Sequence, residues 1–167
     1  RGSTAVVADA GSPAMSAYAA AGLTAAEAAD VLIATARAGK AEPEQLAQSL
    51  GRVLPLASEL GVTFQDVGGS IAALSLSGND AAQASTLLTN VLSKILKPSQ
   101  QGAEALEAVG LSAGKLREMI AEKGLLGTLQ ELREKLGTSG FVKLFEDAQA
   151  VQGVLALTGQ NADQVAK

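Results

Sequence analysis

The chain contains no cysteine, no histidine and no tryptophan, and aromatic residues make up only 2% of its 167 residues. The absence of cysteine excludes disulfides, thiolate nucleophiles and cysteine-type zinc sites, and it leaves the redox compartment open. The absence of histidine removes the commonest general base and metal ligand. Carboxylate or lysine chemistry remains available, so the composition does not exclude every enzymatic function.

Positive charge is also scarce. The chain has 13 Lys and Arg against 17 Asp and Glu, a formal net charge of −4 and a pI near 4.8. Because the basic residues are few and scattered, binding to a phosphate backbone is not expected. Stacking on single-stranded nucleic acid is not expected either, since aromatic side chains are few. We therefore predict no nucleic-acid specificity.

Long apolar runs are absent. Polar residues interrupt even the alanine-rich segment Ala14–Ala29, so no membrane-spanning helix is predicted, and no signal peptide is recognisable. Membrane contact is expected only through other parts of a parent protein. Arg1-Gly2-Ser3 is typical of an expression scar, so residues 1–12 are predicted to be a scar and flexible N-terminus of a segment from a much longer protein.

What the chain does contain is aliphatic. Hydrophobic residues make up 47% of it, mainly Leu, Val, Ile and Ala. Such a core suits closely packed helices better than a β-sandwich, and no segment alternates with a period of two. We predict an all-α fold, a compact bundle of about seven to nine short helices. Residues 13–160 are expected to form one domain, with a frayed turn over 161–167.

Apolar periodicity and helix start and stop signals define the individual helices. Glu42-Pro43-Glu44 is predicted to begin a helix that ends before Gly61, and Gly137–Gly140 is predicted to be a loop. The other predicted helices are Pro13–Ala21, Ala25–Ala38, Phe64–Ser77, Ala81–Leu96, Gln100–Val109, Ala113–Lys123, Leu125–Leu136 and Phe141–Leu157.

The helix that ends before Gly61 contains a proline. Pro55 removes one backbone hydrogen bond and crowds the carbonyl of Gly51, so a kink is predicted near these residues. The apolar stripe of this helix consists of Leu46, Leu50, Val53, Leu54, Ala57 and Leu60.

Three short connectors share the order glycine, branched aliphatic residue, hydroxyl residue: Gly22-Leu23-Thr24, Gly61-Val62-Thr63 and Gly110-Leu111-Ser112. The glycine is expected to end a helix in the left-handed conformation, and the aliphatic residue to pack back on the preceding turn. The hydroxyl then caps the next helix. The spacing between copies is irregular, so these are helix-to-helix joints and not units of a sequence repeat.

Ligand-binding and catalytic alternatives fit less well. A Walker loop fails because Ala34 and Ala41 flank Gly39-Lys40 at the required positions. Ser112 and Lys115 match the Ser-x-x-Lys of penicillin-recognising enzymes, but the companion motifs are missing, and Ser112 is interpreted as an N-cap. The Gly-x-x-x-Gly of Gly110–Gly114 lies among polar residues, which favours a joint over a membrane-dimer motif.

Two carboxylate pairs, Glu27/Asp30 and Glu104/Glu107, could face a metal, but the histidine partners of a di-metal bundle site are missing. We interpret the four acids as solvated or cap-adjacent. The charged residues Glu131, Arg133, Glu134 and Lys135 are predicted to form an exposed face. Phe64, Phe141 and Phe145 are predicted to be core anchors, the last two stacked on one helix face. No catalytic, cofactor-binding or metal-ligating residue and no cofactor is predicted.

The succession of helices resembles a known family. Its most telling pieces are "LGRVLPLASELGVTFQDV", "LLTNVLSKILKPS" and "LFEDAQAVQGVLALTGQN", whose order and spacing are similar to the core region of phage tail tape measure proteins. The resemblance extends over about Gly22 to Ala166, and the residues before Gly22 add little.

The resemblance implies a structural, non-enzymatic role. Tape measure proteins are long, mostly helical templates for the length of the tail tube, and they leave the tail on infection. The expected partners are the tail tube protein, tail assembly chaperones and tail tip proteins. The expected location is the interior of the tail tube in the virion, and the host cytoplasm during assembly. The oligomeric state stays open.

Two further interpretations are kept. The Gly and Pro joints favour a compact module over an extended ruler, because a coiled coil requires an uninterrupted heptad pattern. An alternative function is a helical binding or translocator module of a secretion system, with an open apolar groove lined by Leu87, Val91 and Ile95. An enzymatic function would rest on Ser112, Lys115 and the carboxylate pairs alone.

Overall fold

Seven α-helices occupy the part of the chain that the structure, a computed structural model, describes: residues 24–39, 43–146 and 148–158. No strand occurs in these residues, so the predicted all-α bundle is confirmed. The helices are α1 (Ala25–Gly39), α2 (Pro43–Leu60), α3 (Phe64–Leu76), α4 (Ala81–Leu96), α5 (Gln100–Ala108), α6 (Ala113–Phe145) and α7 (Ala148–Leu157).

Most predicted boundaries agree with these ranges to within one residue, and α4 agrees at both ends. The predicted helix Pro13–Ala21 and the frayed turn over 161–167 lie outside the described residues. Helix α2 continues through Pro55, whose ring is exposed, and the size of the bend there stays a prediction.

Helix α6 consists of three sections. The backbone leaves the helical region at Gly124 (φ 77°, ψ 173°) and at Gly137 (φ 69°, ψ 174°), a conformation that is essentially restricted to glycine. The first two sections match the predicted helices Ala113–Lys123 and Leu125–Leu136. The predicted loop over Gly137–Gly140 is wrong, because one glycine is enough to turn the chain and the helix resumes directly after it.

The predicted helix Phe141–Leu157 is also wrong as a single element. The helix ends at Phe145, its C-cap residue Glu146 has a φ of 41°, and α7 begins at Ala148. At 3.6 residues per turn, Phe141 and Phe145 would lie roughly half a turn away from Ala150 and Val154 on one straight helix. The break lets both apolar faces reach the same core, where all four residues are at most 2% exposed.

The core joins helices that are distant in the chain. Helix α2 packs on α4, α4 on α7, α1 on α3, and α5 on α6. Phe64 is buried, and the rings of Phe141 and Phe145 make an edge-to-face contact with centroids 5.1 Å apart, so the predicted aromatic anchors are confirmed. The largest fully buried aliphatic side chains are Leu50, Leu54, Leu60, Ile71, Leu74, Leu88, Leu92, Ile95 and Leu106.

Helices α4 and α7 approach closely because α7 carries Gly153 at the contact. A Cβ atom on Gly153 would lie 3.0 Å from Val91 Cγ2 and 3.2 Å from the carbonyl oxygen of Leu87. The missing side chain therefore sets how near the two helix axes come.

Candidate functional site

The joint between α2 and α3 has the geometry of a Schellman motif followed by an N-cap. The N–H of Gly61 (φ 79°) donates to Ser58 O at 3.2 Å, and that of Val62 donates to Ala57 O at 2.9 Å. Val62 is fully buried. Thr63 Oγ1 accepts a hydrogen bond from the N–H of Asp66 at 3.1 Å. The predicted helix stop and start are present, and the packing of Val62 on the preceding turn stays a prediction.

The joint between α5 and α6 repeats this pattern. The N–H of Gly110 donates to Glu107 O at 3.0 Å and that of Leu111 donates to Leu106 O at 2.9 Å. Ser112 Oγ accepts from the N–H of Lys115 at 3.3 Å, which confirms Ser112 as an N-cap.

The joint between α3 and α4 is a polar variant. Gly78 and Asn79 close the same hydrogen bonds, and Asp80 forms a capping box with Gln83. At the start of α1, Thr24 and Glu27 exchange a similar pair of hydrogen bonds, while Gly22-Leu23 lies outside the described residues.

The side chains of Ser112 and Lys115 are each engaged with the backbone. The Nζ of Lys115 donates to the carbonyl oxygen of Gly110 at 3.1 Å, and Ser112 Oγ contacts only the backbone N–H of Lys115. Lys115 thus binds a backbone carbonyl of the joint itself, two residues beyond the end of α5. The two side chains do not hydrogen-bond each other.

The carboxylates of both predicted pairs are exposed. Glu27 and Asp30 are exposed on α1, and Glu104 and Glu107 are exposed on α5. Within the described residues, no group of three or more carboxylates is arranged to hold a metal ion. Glu27 accepts from the N–H of Thr24, in agreement with a cap-adjacent role.

The charged run of α6 forms a surface cluster. Glu131 bridges Lys123 and Lys135, the latter at 3.2 Å, and Arg133 donates to Thr158 O and Oγ1 at 3.3 and 3.0 Å. The hydrogen bond from Lys123, followed by that from Lys135, holds the pKa of Glu131 below its ordinary value. The exposed face that the sequence predicts is present, and it ties α6 to the end of α7.

One polar contact was not predicted from the sequence. Asp66, in the first turn of α3, accepts a hydrogen bond from the N–H of Leu125 at 3.1 Å. Leu125 begins the second section of α6, so a carboxylate from a distant helix satisfies one of its unpaired donors. The signal in the sequence is only Gly124, and nothing there identifies Asp66 as the partner.

The groove that the alternative function requires is closed. Leu87, Val91 and Ile95 are 5%, 0% and 1% exposed, because α2 and α7 cover α4. The expected open groove on α4 is therefore wrong for these residues. The described surface also has an open groove between α5 and the end of α6, lined by Gln101, Glu104, Ala105, Ala108, Val109, Leu136, Gly140 and Lys143. No helix in the described part of the chain has the length and apolar character to cross a membrane.

Comparison with known proteins identifies the class. The chain matches the family model of phage-related minor tail proteins over residues 1–159 and belongs to that family. This family is one of phage tail proteins. The resemblance that the sequence predicts is confirmed.

A particular relative is the tape measure protein of Pneumococcus phage Dp-1, to which the chain is 28% identical over 148 residues. These residues cover 83% of the chain but 12% of the relative, so the chain spans about an eighth of that protein's length. No solved structure matches the chain.

Proposed function

We propose that the chain is a non-enzymatic segment of a tape measure protein and contributes to the template that sets the length of the tail tube. The observation that carries this proposal is the match to the Dp-1 protein, which extends over 83% of the chain. The helical content supports it on the condition that the packed helices separate inside the tube, because an extended helix rises by a fixed increment of about 1.5 Å per residue.

The proposed partners are the tail tube protein, the tail assembly chaperones and the tail tip proteins. The proposed location is the interior of the tail tube after assembly in the host cytoplasm, with release on infection. The proposal includes no catalytic, cofactor-binding or metal-ligating residue. In support, Ser112 is engaged as a cap, and the acids of the two carboxylate pairs are exposed.

An in-frame deletion of residues 24–158 from the parent gene tests the template role. If the segment counts as extended helix, its 135 residues correspond to about 200 Å of tail, because each residue contributes about 1.5 Å. Electron microscopy of the mutant particles should show tails shortened by that amount. Tails of unchanged length would overturn the template role.

A matched control deletes the same number of residues from another helical part of the parent protein. If both deletions shorten the tail, the result supports a template in which every helical residue contributes to tail length. Shortening by the control alone would assign length determination to other parts of the parent. An epitope tag at the exposed Gly114 tests release, since antibody should detect the segment outside the tail after DNA ejection and not before.

The secretion-system module is not favoured. Its predicted docking residues Leu87, Val91 and Ile95 are covered by the chain's own helices. The match to phage minor tail proteins over residues 1–159 also supports the tail function over this alternative.

A further inference from the structure

We draw no further inference here: the strongest candidate, the open groove between α5 and the last section of α6 with Glu104 and Ala108 on one wall and Gly140 and Lys143 on the other, carries none because nothing in the structure shows what covers it.

Discussion

The carboxylate of Asp66 lies 3.1 Å from the backbone nitrogen of Leu125, a residue 59 positions further along the chain. Asp66 thus occupies the first turn of α3 and at the same time caps the second section of α6. One side chain therefore connects the α2–α3 joint to the bend in α6.

Replacing Asp66 by alanine is expected to lower the free energy of unfolding by about 1.5–3 kcal/mol, the range for hydrogen bonds to charged groups. Urea denaturation followed by circular dichroism measures this change. Thr63→Ala removes a cap that acts on α3 alone, and it should cost only about 1 kcal/mol. Equal effects of the two variants would argue that the contact with Leu125 adds nothing.

Gly153→Ala is expected to destabilise the protein by about 1–3 kcal/mol, because the new methyl group overpacks the α4–α7 contact. Normally the same substitution within a helix stabilises by up to about 1 kcal/mol. Gly114→Ala is the control, since its Cβ would meet only Ser112 Oγ at 3.8 Å, and it should be neutral or stabilising. Thermal unfolding of both variants checks the difference, and a stabilised Gly153→Ala would contradict the packing argument.

Ser70→Ala is expected to raise the free energy of unfolding by about 1 kcal/mol. Ser70 is fully buried, and its hydroxyl has no hydrogen-bond partner in the described part of the chain, so the hydroxyl is desolvated without compensation. Thr128→Val is the contrasting variant, because Thr128 Oγ1 donates a hydrogen bond to Gly124 O at 2.8 Å. Losing this hydrogen bond should lower the free energy of unfolding. Equilibrium urea unfolding that ranks the two variants in the opposite order would reject this prediction.

The pKa of the Glu131 carboxyl should lie below its ordinary value, and Lys123→Met should raise it more than Lys135→Met does, since Lys123 is the larger cause. Because the pKa is lower in the folded state, this contribution to stability is present above the unfolded-state pKa. It is lost as pH falls through the folded-state pKa. NMR titration of the side-chain carboxyl in the three proteins measures the shifts, and the reverse order of the two lysine variants would be evidence against the assignment.

The local features of this fold follow from short stretches of sequence. Gly61-Val62-Thr63 and Gly110-Leu111-Ser112 form the predicted joints because every hydrogen bond in them connects residues within five positions. The bounds of α4 are equally local, set by the Asp80 cap and the Lys97-Pro98 stop.

The features that the sequence did not predict are of two kinds. Some depend on contact partners distant in the chain, and one depends on which side of a helix carries the apolar residues. Nothing near Gly124 identifies Asp66 as its cap, and nothing near Gly153 shows that Val91 lies against it. The break at Glu146 does leave a signal, namely the reversal of the apolar side between Phe145 and Ala150. Apolar residues at helical spacing occur on both sides of the break, so counting them over the whole Phe141–Leu157 segment does not reveal that the apolar side changes.

The Gly61-Val62-Thr63 and Gly110-Leu111-Ser112 joints close their backbone hydrogen bonds within a few residues. A helix can therefore be gained or lost at such a joint during evolution without leaving an unpaired backbone group on either side. In a protein whose size is under selection, these joints are positions where length can change in whole-helix increments while the neighbouring helices keep their ends intact.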